Sequence, residues 1–224
     1  MRILLIHNKY QQAGGEDSVF FTEIELLKQR GHLVECLIFD SNEIKTWWDK
    51  LMSGFYLIYN PVSAKVVRKM IKSFNPDVAH VHNFVPLASP SVFFVAHKNN
   101  IPVVLTLHNY RLLCPSATLF YNNSIYERSL NSGFPFHAIF KGVYRNSRIQ
   151  TAALATMIFF HKIIGTWKRK VSKYIVLTQF ALHKFKGSTL GISENQLVVK
   201  PNFVLDHGRG EIKREFFFIC RQVD

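Results

Sequence analysis

A repeated alternation of short apolar runs with longer amphipathic ones constrains this chain more than any other feature. Arg2 to His7 (RILLIH) has strand character, and a polar turn (NKYQQAGGED) separates it from an amphipathic run, Ser18 to Arg30, that stops at Gly31. His32 to Phe39 (HLVECLIF) is the next strand. Strand, glycine loop, helix, stop and strand form a βαβ unit, and a crossover of that length joins parallel strands. The pattern then recurs. Pro61 to Phe74 carries apolar residues at helical spacing and breaks at Asn75-Pro76-Asp77, and VAHVH follows at once as a third strand. Pro90 to Asn100 reads as helix, Ile101 to His108 (IPVVLTLH) and Lys173 to Leu177 (KYIVL) as strands, and Val198 to Val204 as a last short strand and exit. The alternation predicts an α/β domain built on a doubly wound, mostly parallel sheet that binds ligands beyond the carboxyl ends of its strands. Residues 109–148 are irregular, aromatic and rich in turn residues. Loops this long in compact domains are functional or mobile, so this one is expected over the site.

Composition narrows the class of partner. The 224 residues, 48% hydrophobic and 19% charged, are enough to bury a core and unlike a disordered chain. An excess of 28 Lys and Arg over 15 Asp and Glu gives a formal charge of +13, which favours anionic partners such as phosphate, nucleotide or acidic lipid. None of the recognisable nucleic-acid modules is present, so nucleic acid is not an expected partner. Cys36, Cys114 and Cys220 lie far apart without a CxxC pair, which argues against a disulfide framework and for a reducing, cytoplasmic setting. The start, MRILLIHNKY, reads as a first strand and not as an export signal. Thr151 to Gly165 is the longest apolar stretch, but His161 and Lys162 interrupt it and it falls short of the roughly 20 residues that span a bilayer.

Polar residues at predicted strand ends are the site candidates. Gly14 and Gly15 lie between the first strand and its helix, where missing side chains let backbone N–H groups approach an anion at the helix N-terminus. A flexible turn accounts for two glycines equally well, since neither GxGxxG nor GxxxxGK[ST] is present. Glu16 and Asp17 follow in the first helical turn, a position that acidic residues also take simply as caps. His80 and His82 alternate at strand spacing and so point to one face. No third donor stands near them in sequence and His108 lies on another strand, so they are read as hydrogen-bonding histidines with no metal expected. His108 ends its strand beside Asn109 and opens onto the same crevice, either to contact substrate or as an imidazole satisfied by backbone. Trp47 and Trp48, the basic residues Lys65, Arg68, Lys69 and Lys72, and the run Lys168, Arg169 and Lys170 are candidates for facing an anionic membrane surface. A core role for the tryptophans and a solvated helix face for the lysines and arginines are the plainer alternatives.

Seven segments taken in order carry a family resemblance: HNKYQQAGGED with LLKQRGH, PDVAHVHNFVPLASPSVFF, IPVVLTLHNYRLLCPSATLF, YRNSR, YIVLTQFALHKF and VVKPNFV. Together they resemble the amino-terminal domain of glycosyltransferase family 4, over nearly all of the chain from Met1 to about Val204. The resemblance implies the Rossmann-like N-terminal half of a GT-B fold, in a retaining enzyme without a bound metal or cofactor. Such an enzyme moves a sugar from a nucleotide-diphosphate sugar onto a saccharide or lipid-linked acceptor in polysaccharide or glycolipid biosynthesis. It implies that Gly14, Gly15 and Glu16 form the loop closing on donor phosphates and acceptor, that His108 lies near the donor sugar, and that His82, Asn83 and Asn109 line the cleft.

The ending FFFICRQVD resembles the first strand of the second, donor-binding domain of such enzymes, with Cys220 where a glycine is expected. The expected division is therefore an acceptor-side domain over 1–205, and a linker with one strand of a truncated second domain over 206–224. A chain of that kind would have little activity alone. The competing expectation is a non-catalytic module that binds acceptor glycan or the inner face of the membrane and works with a separate donor-binding chain. The cysteines that relatives often carry around a segment such as ICEDCL have no counterpart at Ile125 to Leu130.

Overall fold

The structure is a computed structural model that describes residues 1–10, 14–43, 54–130 and 132–203. Its centre is a six-stranded sheet in the order β2-β1-β3-β4-β7-β8, with every neighbouring pair parallel. The strands are β1 (Arg2–Lys9), β2 (Leu33–Asp40), β3 (Val78–Val81), β4 (Val103–Leu107), β7 (Lys173–Val176) and β8 (Leu197–Val199). The alternation in the sequence therefore becomes the doubly wound parallel architecture it predicts. β1 is the best-buried strand, with Ile3 to Asn8 all buried, because both of its faces are covered. β2 is an edge strand and leaves Leu33 and Ile38 exposed.

Two faces of the sheet are packed differently. α1 (Gly15–Gln29) covers one with a small cluster of Ile3, Leu5 and Phe20. The other face carries the main core, in which α2 (Pro61–Phe74), α3 (Ser91–Lys98), α5 (Arg148–Ile163) and α6 (Thr166–Arg169) bury residues such as Val67, Phe93, Met157 and Trp167. Trp167 donates its indole N–H to the Ile158 carbonyl at 3.2 Å and accepts Tyr174 Oη at its own carbonyl at 2.6 Å. Both polar tips are thus satisfied in a dry core. α7 (Gln179–Phe185) packs beside β7 and β8.

Local chemistry sets the helix ends. Asn60 caps α2 by accepting the Val62 and Ser63 N–H groups at 3.0 and 3.2 Å, with Pro61 in the first turn and Asn75 in the left-handed conformation at the end. Ser147 and Thr178 cap α5 and α7 through their hydroxyls. The segment predicted to be irregular, 109–148, holds more structure than its composition suggests. It contains a two-stranded hairpin, β5 (Phe120–Tyr121) with β6 (Ser124–Ile125), and a short α4 (Phe136–Lys141), all gathered on a separate apolar cluster of Cys114, Leu119, Tyr126, Ala138 and Val143. Cys36 and Cys114 are free thiols. Among the described residues no helix is long and apolar enough to cross a membrane.

Candidate functional site

Chain direction across the sheet reverses between β1 and β3, because β2 lies on one side of β1 and the later strands on the other. That switch point opens a crevice at the carboxyl ends of β1, β3 and β4, and the polar residues of the chain converge there. β1 contributes His7 and Asn8, β3 leads into His82 and Asn83, and β4 leads into His108 and Asn109. A small, partly open pocket lies among them, with Glu16, His82, Asn83, His108, Asn109 and Arg111 on its wall.

Histidines dominate the face that meets α1. His80 Nε2 pairs with Thr106 Oγ1 at 2.8 Å, and His82 Nδ1 pairs with His108 Nε2 at 3.1 Å. The His82 and His108 rings stack at 5.3 Å, and His7 stacks on Phe20 at 4.7 Å. Burial drives His80 down to about 3 and His108 to about 4, with Lys200 adding to both, and His82 is pushed well below its usual 6.5 for the same reason. These rings are neutral at physiological pH and act through hydrogen bonds. His108, set at the crevice by topology alone in the sequence, both lines the pocket and bonds a neighbouring imidazole.

The start of α1 supplies the carboxylates. Asp17 Oδ2 accepts the Gly14 N–H at 2.8 Å while Oδ1 meets His7 Nε2 at 2.7 Å, so Asp17 is a cap tied to β1. Glu16 points into the pocket and accepts Asn83 Nδ2 at 3.2 Å. Burial raises Glu16 from 4.5 to about 7; Arg111 and the Asn83 hydrogen bond oppose the rise and Asp17 adds to it. Gly14 and Gly15 are exposed beside the pocket, not on its wall. A Cβ at either would meet no described atom within 4 Å, so packing within the described residues does not demand glycine there.

Asn83 and Asn8 lock the loop after β3. Asn83 donates to the Asn8 carbonyl at 2.8 Å, and Asn8 Oδ1 accepts the Leu87 and Ala88 N–H groups at 2.7 and 3.2 Å. Asn109 Oδ1 accepts the Arg111 N–H at 3.0 Å and so turns the chain just past β4.

Besides His7 and Asn8 of β1, sequence reading missed two residues. Arg111 donates Nη1 to Tyr10 Oη at 2.6 Å and lies over the Tyr10 and Tyr144 rings at 5.6 Å each, which fixes its guanidinium on the pocket wall. Its signal was present, a lone arginine two residues after the strand-end His108-Asn109 pair. Glu23 is the other: it stands one helical turn past Phe20, buried, with its carboxylate toward His80 and His82. Only the packing of α1 against β3 supplies that third donor, which strand spacing could not reveal. Of the long segment, Asn109, Arg111 and Leu112 line the pocket.

Of the membrane candidates, Lys65, Arg68, Lys69 and Lys72 project from the exposed side of α2, opposite its buried Ala64, Val67 and Ile71. Lys168 and Arg169 are exposed, and Lys170 holds its ammonium 4.6 Å from the centre of the Phe94 ring. Trp47 and Trp48, and the segment 206–224, lie outside the described residues. Beyond those candidates, α4 and α5 expose Phe136, Phe140, Ile149, Phe160 and Ile163.

A family model described as Glycosyltransferase Family 4 matches residues 13–204. No curated protein matches the sequence. Among solved structures the chain is similar to the UDP-GlcNAc 2-epimerase from Methanocaldococcus jannaschii, with 14% identity, 89% of this chain and 45% of that one covered and a TM-score of 0.46. It is also similar to S. aureus MnaA in a co-structure with UDP (12% identity, 94% and 49% covered, TM-score 0.47). A third is Anabaena HepE in complex with UDP (15% identity, 90% and 44% covered, TM-score 0.42). The chain spans about half the length of the solved structures it matches.

Proposed function

The chain belongs to Glycosyltransferase Family 4, and from that premise we propose that it forms the acceptor-side half of a GT-B transferase. That enzyme moves a sugar, with retention of configuration, from a nucleotide-diphosphate sugar to a saccharide or lipid-linked acceptor. The observation that carries the reading is the strand-end pocket, where Glu16, Asn83, His108 and Arg111 converge on one small space whose other walls are apolar side chains such as Phe84, Leu105 and Leu107. Polar groups of different kind, fixed by their own hydrogen bonds, suit recognition of a hydroxyl-rich ligand next to a phosphate.

Each residue has a role consistent with its surroundings. His108 is neutral and offers a hydrogen bond to the transferred sugar. Arg111, held by Tyr10, supplies a fixed positive charge for phosphate or for charge developing on a leaving group. Glu16 titrates near neutrality, accepting hydrogen bonds when ionised and donating one when protonated. The N-terminus of α1, with the unobstructed Gly14 and Gly15, faces anionic groups of the donor. The nucleotide itself is held by a donor-binding half, and the exposed basic side of α2 brings the acceptor face to an anionic membrane when the acceptor is lipid-linked. The setting is polysaccharide or glycolipid assembly on the cytoplasmic side.

Calorimetric titration of the purified chain with oligosaccharide and lipid-linked saccharide acceptors tests this. Saturable binding is expected, with Arg111→Gln weakening it by about tenfold, the loss of one charge-assisted hydrogen bond. Transfer from nucleotide sugars is expected to be slow unless a donor-binding half is added. Absence of saturable acceptor binding, or transfer by the chain alone at an ordinary enzymatic rate, overturns the reading.

A further inference from the structure

Beside the pocket, on the side of the histidine layer that faces α1, lies a second cluster. Glu23, His80 and His82 are all buried, and one ligand atom from each falls within 4.8 Å of the others. His80 Nδ1 stands 3.5 Å from Glu23 Oε1, and His82 Nε2 stands 3.6 Å from Glu23 Oε2. Those separations are too long for good hydrogen bonds. Each is close to the separation of a nitrogen and an oxygen donor on one zinc ion, about 3.3 Å for bonds of about 2.0 Å, with the carboxylate turning one oxygen toward each imidazole.

Ring orientation adds an independent observation. His80 uses Nε2 on Thr106 and His82 uses Nδ1 on His108, which leaves His80 Nδ1 and His82 Nε2 aimed at the same carboxylate. The His82 Nε2 atom is buried and has no hydrogen-bond partner. A buried nitrogen without a partner is uncommon and calls for an explanation. Histidines that ligate metals characteristically have the far ring nitrogen engaged in this way. The charge balance fits as well. Glu23 is an acid 8% exposed in its side chain, and Lys200 Nζ stands 3.3 Å from it, on a side chain that is 42% exposed.

We propose that Glu23, His80 and His82 form a binding site for a divalent metal ion of the zinc class, with the Lys200 ammonium as the competing cation. Two imidazoles and a carboxylate are the donor set that zinc accepts. A bound ion stitches α1 to β3. It also places the His82 proton on Nδ1, which then donates to His108 Nε2 and fixes the tautomer of the pocket histidine.

The test uses the intact chain stripped with a chelator, with zinc uptake followed by metal analysis and cobalt uptake by visible d–d absorption. One equivalent is expected. Glu23→Gln lowers the affinity by at least about tenfold, and Lys200→Gln, which removes the competitor, raises it severalfold. Failure of the wild type to take up a stoichiometric ion, or uptake that Glu23→Gln leaves unchanged, overturns the proposal. Should Glu23→Gln fail to fold by circular dichroism, Lys200→Gln decides: tighter binding supports the site, and unchanged binding refutes it. No saccharide enters the measurement, so its outcome is separate from that of acceptor binding.

Discussion

At the scale of single residues, Glu16 and Arg111 set the behaviour of the pocket. Glu16 is raised to about 7, chiefly by burial, so in the folded chain it takes up its proton as pH falls through neutrality. Below that point the pocket loses a negative charge and gains a donor. Binding of inorganic pyrophosphate is therefore expected to strengthen as pH falls from 8 to 6, with a midpoint near 7. Glu16→Gln, neutral at every pH, should bind at its low-pH strength throughout; a titration series that kept the midpoint in this variant would exclude Glu16 as its source. Arg111 opposes the rise of Glu16, so Arg111→Gln should move that midpoint upward as well as weaken anion binding. Glu16 was legible in the sequence as an acid beside a glycine pair. Its titration was not, because burial depends on Asn83 and Arg111 arriving from distant strands.

At the scale of elements, two glycine positions give opposite expectations. Gly165 joins α5 to α6 at φ +72, and a Cβ there would stand 2.6 Å from the Arg169 side chain. Gly165→Ala should destabilise the fold by about 1–2 kcal/mol, measured by denaturant unfolding, since an L side chain is strained in the left-handed region. Gly14, N-cap of α1, has an extended backbone, and an added Cβ meets no described atom within 4 Å, so Gly14→Ala should leave stability within about 0.5 kcal/mol of wild type. If it also weakens acceptor or pyrophosphate binding, the glycine serves the ligand and not the fold. The basic side of α2 makes a third case. Replacing Lys65, Arg68, Lys69 and Lys72 together by Ser should lower partitioning onto anionic vesicles in a salt-dependent manner, at about 1 kcal/mol per charge, with folding intact. Partitioning that ignores both the substitutions and added salt would remove that face from consideration. Helix periods and cap residues made these elements readable, whereas the hairpin and α4 inside 109–148 were not, since their small cluster around Cys114 and Tyr126 draws on residues scattered through the segment.

At the scale of the whole molecule, the buried histidine layer couples stability to pH. His80 and His108 fall from 6.5 to about 3 and about 4, and His82 falls well below 6.5, so between those values and 6.5 the unfolded chain binds more protons than the folded one. Their contribution is fully present above pH 6.5 and is lost as pH falls toward 3. Glu16 has the opposite sign, stabilising below its ordinary 4.5 and losing that as pH rises through 7. Three imidazoles outweigh one carboxyl, so unfolding free energy of the chelator-stripped, metal-free chain should drop steadily from pH 6.5 to 4.5; a flat urea-midpoint profile there would show that the layer is hydrated or already charged. The sequence by itself determined the order of elements, the parallel sheet and the family. Hydrophobic period, crossover length and glycine stops act locally, and the strand ends then fall where sheet topology puts them. It also placed His80, His82 and His108 at one edge, because strand spacing fixes the face. Only the tertiary structure decided that Arg111 and Glu16 share their pocket, that Glu23 completes a cluster with two of the histidines, and that the rings are neutral. Those outcomes depend on desolvation and on contacts between elements far apart in the chain, and no local pattern encodes them.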